Sequence, residues 1–111
     1  MTYQSDISGL MAALGDPTRR AIVEHLAGGA SPVGEIAATL PVSRPAVSQH
    51  LKVLSDAGLV TAKPDGTRRI YTLRPDAIAD LRAWCDGLWE DALQAFSAKA
   101  HHVATIEKDV K

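Results

Sequence analysis

The chain predicts a mainly helical domain carrying one small β-hairpin, of α+β class, in the order α-α-α-α-β-β-α. Three observations predict it. Apolar residues recur at helical spacing in four successive short stretches, Ile7–Leu14, Ile22–Leu26, Val33–Leu40 and Val47–Leu54. Two short runs rich in β-branched residues then flank a Pro-Asp-Gly turn at 64–66. From residue 76 to about residue 99 the chain runs without proline, as one long helix would.

Taken in order, residues 6–14 place Ile7, Leu10, Met11 and Leu14 on one face of a short amphipathic helix. Gly15-Asp16-Pro17 ends it. Asp16 stands where it caps the next helix, and Pro17 takes that helix's first position, where a backbone N–H has no partner to lose. The second helix buries Ile22, Val23 and Leu26 and stops at Gly28-Gly29, with His25 expected to pack against it or cap it. A turn containing Ser31-Pro32 leads to a third helix over residues 33–40, with Val33, Ile36, Ala37 and Leu40 inward. Pro41-Val42-Ser43 then turns tightly into a fourth.

That fourth helix organises the rest. Ser43 is a good N-cap, Pro45 is tolerated in the first turn, and Gly58 after Ala57 is a natural stop. Val47, Leu51 and Leu54 form an inner stripe, while Arg44, Pro45, Ser48, Gln49 and Lys52 fall on the opposite face. This outer face has no acid. Gln49 can bond an adenine edge and Arg44 a guanine edge, with Ser48 beside them, while Ser43 and Lys52 can reach phosphate. The plain alternative is a solvated helix face, but two short helices joined by a tight turn are the helix-turn-helix arrangement. His50, at the edge of the buried face, is expected to make a structural hydrogen bond rather than a base contact.

The hairpin follows directly. Thr67, Arg68 and Arg69 sit at or beside its tip, and Leu59, Ile70 and Leu73 supply apolar contacts. A basic hairpin behind a helix-turn-helix is a wing, placed to reach phosphates or a neighbouring minor groove. The predicted architecture is therefore a winged helix-turn-helix.

Composition bounds the rest. The chain has 111 residues, enough for one compact domain. We expect residues 1–100 to form that DNA-binding and dimerisation domain and 101–111 to be a flexible tail. Net charge is only −1, but its distribution matters more than its sum. Residues 41–75 carry six cations against two acids, a net of +4, and both flanks are acidic. Positive charge is thus concentrated around the fourth helix and the hairpin. There is no long apolar run, no secretory leader pattern and a single cysteine, so a cytoplasmic protein without a membrane partner is expected. Catalysis lacks a nucleophile paired with a base, a phosphate loop or paired carboxylates, so no enzyme is expected.

The last helix is roughly 35 Å long at 1.5 Å per residue, more than so small a core needs. Ile78, Leu81, Cys85, Leu88, Ala92 and Phe96 form its stripe, flanked by Trp84 and Trp89. With Ile7, Leu10, Met11 and Leu14 from the first helix, this stripe predicts an isologous homodimer. A two-fold dimer suits double-stranded DNA with an inverted repeat, its half-sites about one helical turn apart. The alternative is a monomer whose last helix folds over the winged core.

The segments LGDPTRRAIVEHL (14–26), VGEIAATLPVSRPAVSQHLKVLSDAGLV (33–60) and DGTRRIYTL (65–73) together resemble the ArsR/SmtB family of bacterial winged-helix repressors. The resemblance implies a dimeric repressor on an inverted-repeat operator, often autoregulatory. Metal-sensing members carry thiolates in the first helix of the helix-turn-helix, or His and carboxylate ligands along the last helix. Here Pro32-Val33-Gly34-Glu35 stands at the first place, and no histidine precedes His101 in the last helix. The chain resembles the metal-independent branch, so no metal or cofactor is expected and the inducer stays unknown. Two rival readings remain. One adds zinc sensing at His101 and His102 with Glu107, or redox sensing at Cys85, whose plainer role is that of a small buried hydrophobe. The other is a protein-interaction module with weak, sequence-blind DNA binding.

Overall fold

The computed structural model describes residues 5–109, with side chains described as far as Ala100. Its elements are α1 (Ile7–Ala13), α2 (Pro17–Ala27), β1 (Ser31–Pro32), α3 (Val33–Ala38), α4 (Arg44–Asp56), β2 (Val60–Asp65), β3 (Arg68–Leu73) and α5 (Pro75–Asp109). The chain divides into two units, a winged body through Leu81 and a helical unit from Arg82.

Helix ends in the body follow local chemistry. Asp16 accepts the Arg19 backbone N–H at 3.0 Å, with Pro17 opening α2. That hydrogen bond stabilises the charged carboxylate and holds Asp16 below its ordinary 3.8. The carbonyls left free where α1 ends are taken by guanidinium groups of α2. Arg19 donates to Ala13 at 2.6 Å and Arg20 to Leu14 at 2.9 Å. Ser43 caps α4 through the Ala46 N–H at 3.2 Å. At the other end Gly58, with φ of 85°, makes the left-handed turn. Leu59 N–H then bonds the Leu54 carbonyl and Gly58 N–H that of Ser55, both at 3.0 Å, which is a Schellman closure.

The apolar stripes converge on one core. Leu10, Ile22, Ile36, Val47, Leu51, Leu54 and Leu59 are completely buried, joined by Leu26, Val60, Ala13 and Ala77. Burying each large aliphatic side chain contributes about 1.5–3 kcal/mol. Leu10, expected at a dimer interface, is therefore already used inside the body. Ile7 and Leu14 are half-buried against the same core, and Met11 alone of that set is exposed.

Three further expectations are corrected. The wing is a three-stranded antiparallel sheet, in order β1-β3-β2, rather than a two-stranded hairpin. Ser31 pairs with Tyr71 and Pro32 with Ile70. A two-residue strand shows no alternation, and its proline is tolerated because β1 is an edge. The turn is also shorter than expected. Pro64 and Asp65 belong to β2, opposite Arg69 and Arg68, so Gly66-Thr67 alone makes the turn. Gly66, with φ of 65°, supplies the positive φ that a two-residue hairpin turn needs at its first position. Finally, α5 continues past residue 99 to Asp109. The side chains of His101, His102 and Glu107 lie outside the described residues.

In the helical unit Trp84 is half-buried, and Leu88, Trp89, Ala92, Leu93 and Phe96 are exposed. Cys85 is exposed in the single chain too. Among the described residues no helix is long and apolar enough to cross a membrane.

Candidate nucleic-acid interface

The core fixes which way α4 faces. With Val47, Leu51 and Leu54 fully buried, the opposite side chains have to point outward. Ser43, Arg44, Pro45, Ser48, Gln49 and Lys52 are all exposed, as the helical period requires. Thr67, Arg68 and Arg69 are exposed at the wing tip.

The structure brings part of this set together. A groove of about 590 Å³ runs between α4 and the wing, lined by Arg44 and Ser48 on one side and Thr67, Arg68 and Arg69 on the other. Gln49, Ser43 and Pro45 do not line it; they stand on the open outer face of α4. Arg44 leans toward α3, its guanidinium close enough to Gly34 that an added Cβ there would lie 3.9 Å away.

The cations differ in how free they are. Arg68 is tied to Asp65, its cross-strand partner, at 3.4 Å. Lys52 reaches Asp56 only at 3.9 Å, with both side chains more than 70% exposed, so the pair is weak and easily exchanged for a phosphate. Among the described residues Arg44 and Arg69 have no ion-pair partner. Of the two arginines at the wing tip, Arg69 is the one without an ion pair among the described residues.

Two contributors escaped the sequence reading. Tyr71 lines the groove beside Arg69, two residues along the same strand and therefore on the same face. Period-two alternation from Arg69 is the sequence signal that marks it. The first turn of α3 forms the far wall, and Glu35 is its acid. Glu35 is held back by a short relay. The buried Ser31 hydroxyl donates to Glu35 Oε2 at 3.1 Å, which spends its one proton. His25 Nε2, also 3.1 Å from that hydroxyl, must then be the donor. This gives His25 the packing role expected of it. His50 makes no hydrogen bond among the described residues, contrary to expectation, although its charge acts on Asp16.

Comparisons with known proteins agree with this geometry. A helix-turn-helix domain family matches residues 14–62. The chain is 59% identical over 85 residues to the HTH-type transcriptional regulator Rv2034 of Mycobacterium tuberculosis, covering 77% of this chain and 79% of that protein. A crystal structure of a possible transcriptional regulator for arsenical resistance is similar at a TM-score of 0.68 and 45% identity, over 85% of this chain and 97% of that one. A solution structure from Mycobacterium bovis matches with a TM-score of 0.64 and 28% identity, over 86% of this chain and 95% of that one. It is described as a homodimeric winged helix-turn-helix DNA-binding domain of a possible ArsR-family regulator.

Proposed function

The chain belongs to the ArsR/SmtB family of winged helix-turn-helix transcriptional regulators, which are not enzymes, and we propose that it is a cytoplasmic, dimeric, autoregulatory repressor acting at an inverted-repeat operator. The observation that carries this reading is the outer face of α4, free of acids from Arg44 to Lys52 and bearing Asp56 only at its last residue, set beside a free wing arginine. Arg44, Ser48 and Gln49 read base edges. Ser43 and Lys52 hold phosphates, and Thr67, Arg68 and Arg69 anchor the wing to the backbone. Pro45, on the outer face of α4, supplies an apolar contact to the DNA major groove. Glu35 stands among cations, and its tether to Ser31 keeps it from approaching the backbone freely.

Dimerisation uses α5. Leu81, Trp84, Cys85, Leu88, Trp89, Ala92 and Phe96 form the apolar stripe, with Met11, Ile7 and Leu14 contributed by α1. Closing two copies about a two-fold axis sets two α4 helices about one DNA turn apart.

Fluorescence anisotropy tests the reading. DNA from upstream of the protein's own gene is compared with scrambled DNA, first with zinc and then with a chelator. Tight binding to the upstream DNA, unaffected by zinc, is expected. Equal binding to both duplexes would replace the repressor with an interaction module, and release by zinc would make the C-terminal histidines a sensor.

A further inference from the structure

A second hollow of about 310 Å³ adjoins the main groove and shares Ser48, Arg69 and Tyr71 with it. Ser48, Lys52, Ser55, Ala62, Arg69 and Tyr71 line it. Its shape follows from the two elements that wall it. Ser48, Lys52 and Ser55 stand at i, i+4 and i+7, one stripe of α4. Across from them the sheet presents three cross-strand pairs on one face, Val60 with Leu73, Ala62 with Tyr71 and Pro64 with Arg69. That face grades from the buried Val60 to the exposed Arg69. Because Ala62 is small, the space beside Tyr71 stays open.

The chemistry of the lining is one-sided. Two cations and three hydroxyls converge, and none of the lining residues is an acid. Among the described residues the hydroxyls of Ser48, Ser55 and Tyr71 have no hydrogen-bond partner, so all three are open to a ligand. Donors without internal partners around paired cations are what an oxyanion with several acceptor oxygens requires.

We propose that this hollow holds a phosphodiester of the DNA backbone as one strand passes between α4 and the wing, with Tyr71 and Ser55 as donors beside Lys52 and Arg69. The proposal rests on the DNA-binding reading above and adds two contact residues to it. It also divides the labour of the wing. Arg69 and Tyr71 line both this hollow and the main groove, while Arg68, paired with Asp65, lines the main groove alone.

A backbone contact is blind to sequence, so the test uses a random-sequence duplex at low salt. It compares wild type with Tyr71→Phe, Ser55→Ala, the double variant and Lys52→Gln. Thermal midpoints are recorded alongside to show that each variant is folded. Each hydroxyl deletion is expected to weaken binding about tenfold, since each removes a hydrogen bond to a charged group. The slope of log affinity against log salt stays unchanged, because a neutral hydroxyl displaces no counterion. Lys52→Gln weakens binding and also makes that slope shallower by about 0.9. Unchanged affinity in the double variant overturns the proposal, as does a loss confined to particular base pairs. Calorimetric titration of inorganic phosphate covers the other source of the same chemistry. If the double variant loses phosphate binding but keeps wild-type DNA affinity, the hollow serves a free anion and the proposal is overturned. If wild type binds no duplex at all, the DNA reading itself fails, a result distinct from the others.

Discussion

In the winged body seven large side chains, from Leu10 to Leu59, are closed off from solvent, and the polar groups at the helix ends find partners within a few residues. From Arg82 onward the same kinds of side chain stand in water, with Leu88 55%, Trp89 67%, Leu93 48% and Phe96 71% exposed. A lone helix gains little from its own hydrogen bonds, and most of its stability has to come from burying an apolar face. Scattered exposed leucines need no explanation, but a row of leucines and aromatics at helical spacing does. The body is thus complete in one chain, whereas the helical unit leaves an apolar row uncovered, which is why we propose that a second copy completes it.

This contrast can be broken most severely in the body. Leu51→Ala opens a cavity beneath α4 and should cost about 2–5 kcal/mol, read as a lower thermal midpoint together with loss of DNA binding. Trp89→Ala or Phe96→Ala should cost about 2 kcal/mol or more of association, read by sedimentation as dissociation at low concentration. The far-ultraviolet signal of the body should survive that change. A mass unchanged by either substitution would assign the stripe to the body instead. On the DNA side, Gln49→Ala should remove discrimination at one base pair, roughly 1–3 kcal/mol, without altering the mass of the dimer. Equal losses on every duplex would refute the base-reading role of Gln49.

How much of this was legible in the sequence differs between the same two regions. In the body, caps and stripes are local. Asp16, Ser43 and Gly58 announce helix ends from their own chemistry, and the inner stripe of α4 was read correctly residue by residue. What the body concealed depends on contacts between distant segments. β1 is two residues long and exists only because β3 pairs with it. Leu10 and Met11 are neighbours in sequence with similar apolar side chains, and only the packing of α1 on α4 decides that one is core and the other surface. Tyr71 falls on the Arg69 face by period two, but that this face turns toward α4 is set only by tertiary packing. In α5 the stripe was plain, but periodicity fades after residue 99 while the backbone remains helical to Asp109. A polar helix end has no apolar pattern to read.

Smaller effects sharpen the picture of the body. Ser43→Ala should lower its stability by about 1 kcal/mol through loss of the cap on α4. Ser43→Gly should cost only a few tenths. Asp16 gives the smallest effect. Its folded pKa is depressed, so its contribution is present above the ordinary value of 3.8 and is lost as pH falls through the folded value. Acid titration of Asp16→Asn should lack that part of the decline that wild type shows below its ordinary pKa.

The central claim is that a self-sufficient DNA-reading body is doubled by an otherwise unpartnered helix. Hydroxyl-radical footprinting on the upstream DNA tests both halves at once. Wild type should protect two patches related by a two-fold axis and spaced about one helical turn, roughly 34–36 Å. Phe96→Ala, at concentrations where it is monomeric, should protect neither patch fully while remaining folded. A single protected patch for wild type, or two undiminished patches for the monomeric variant, would contradict the claim.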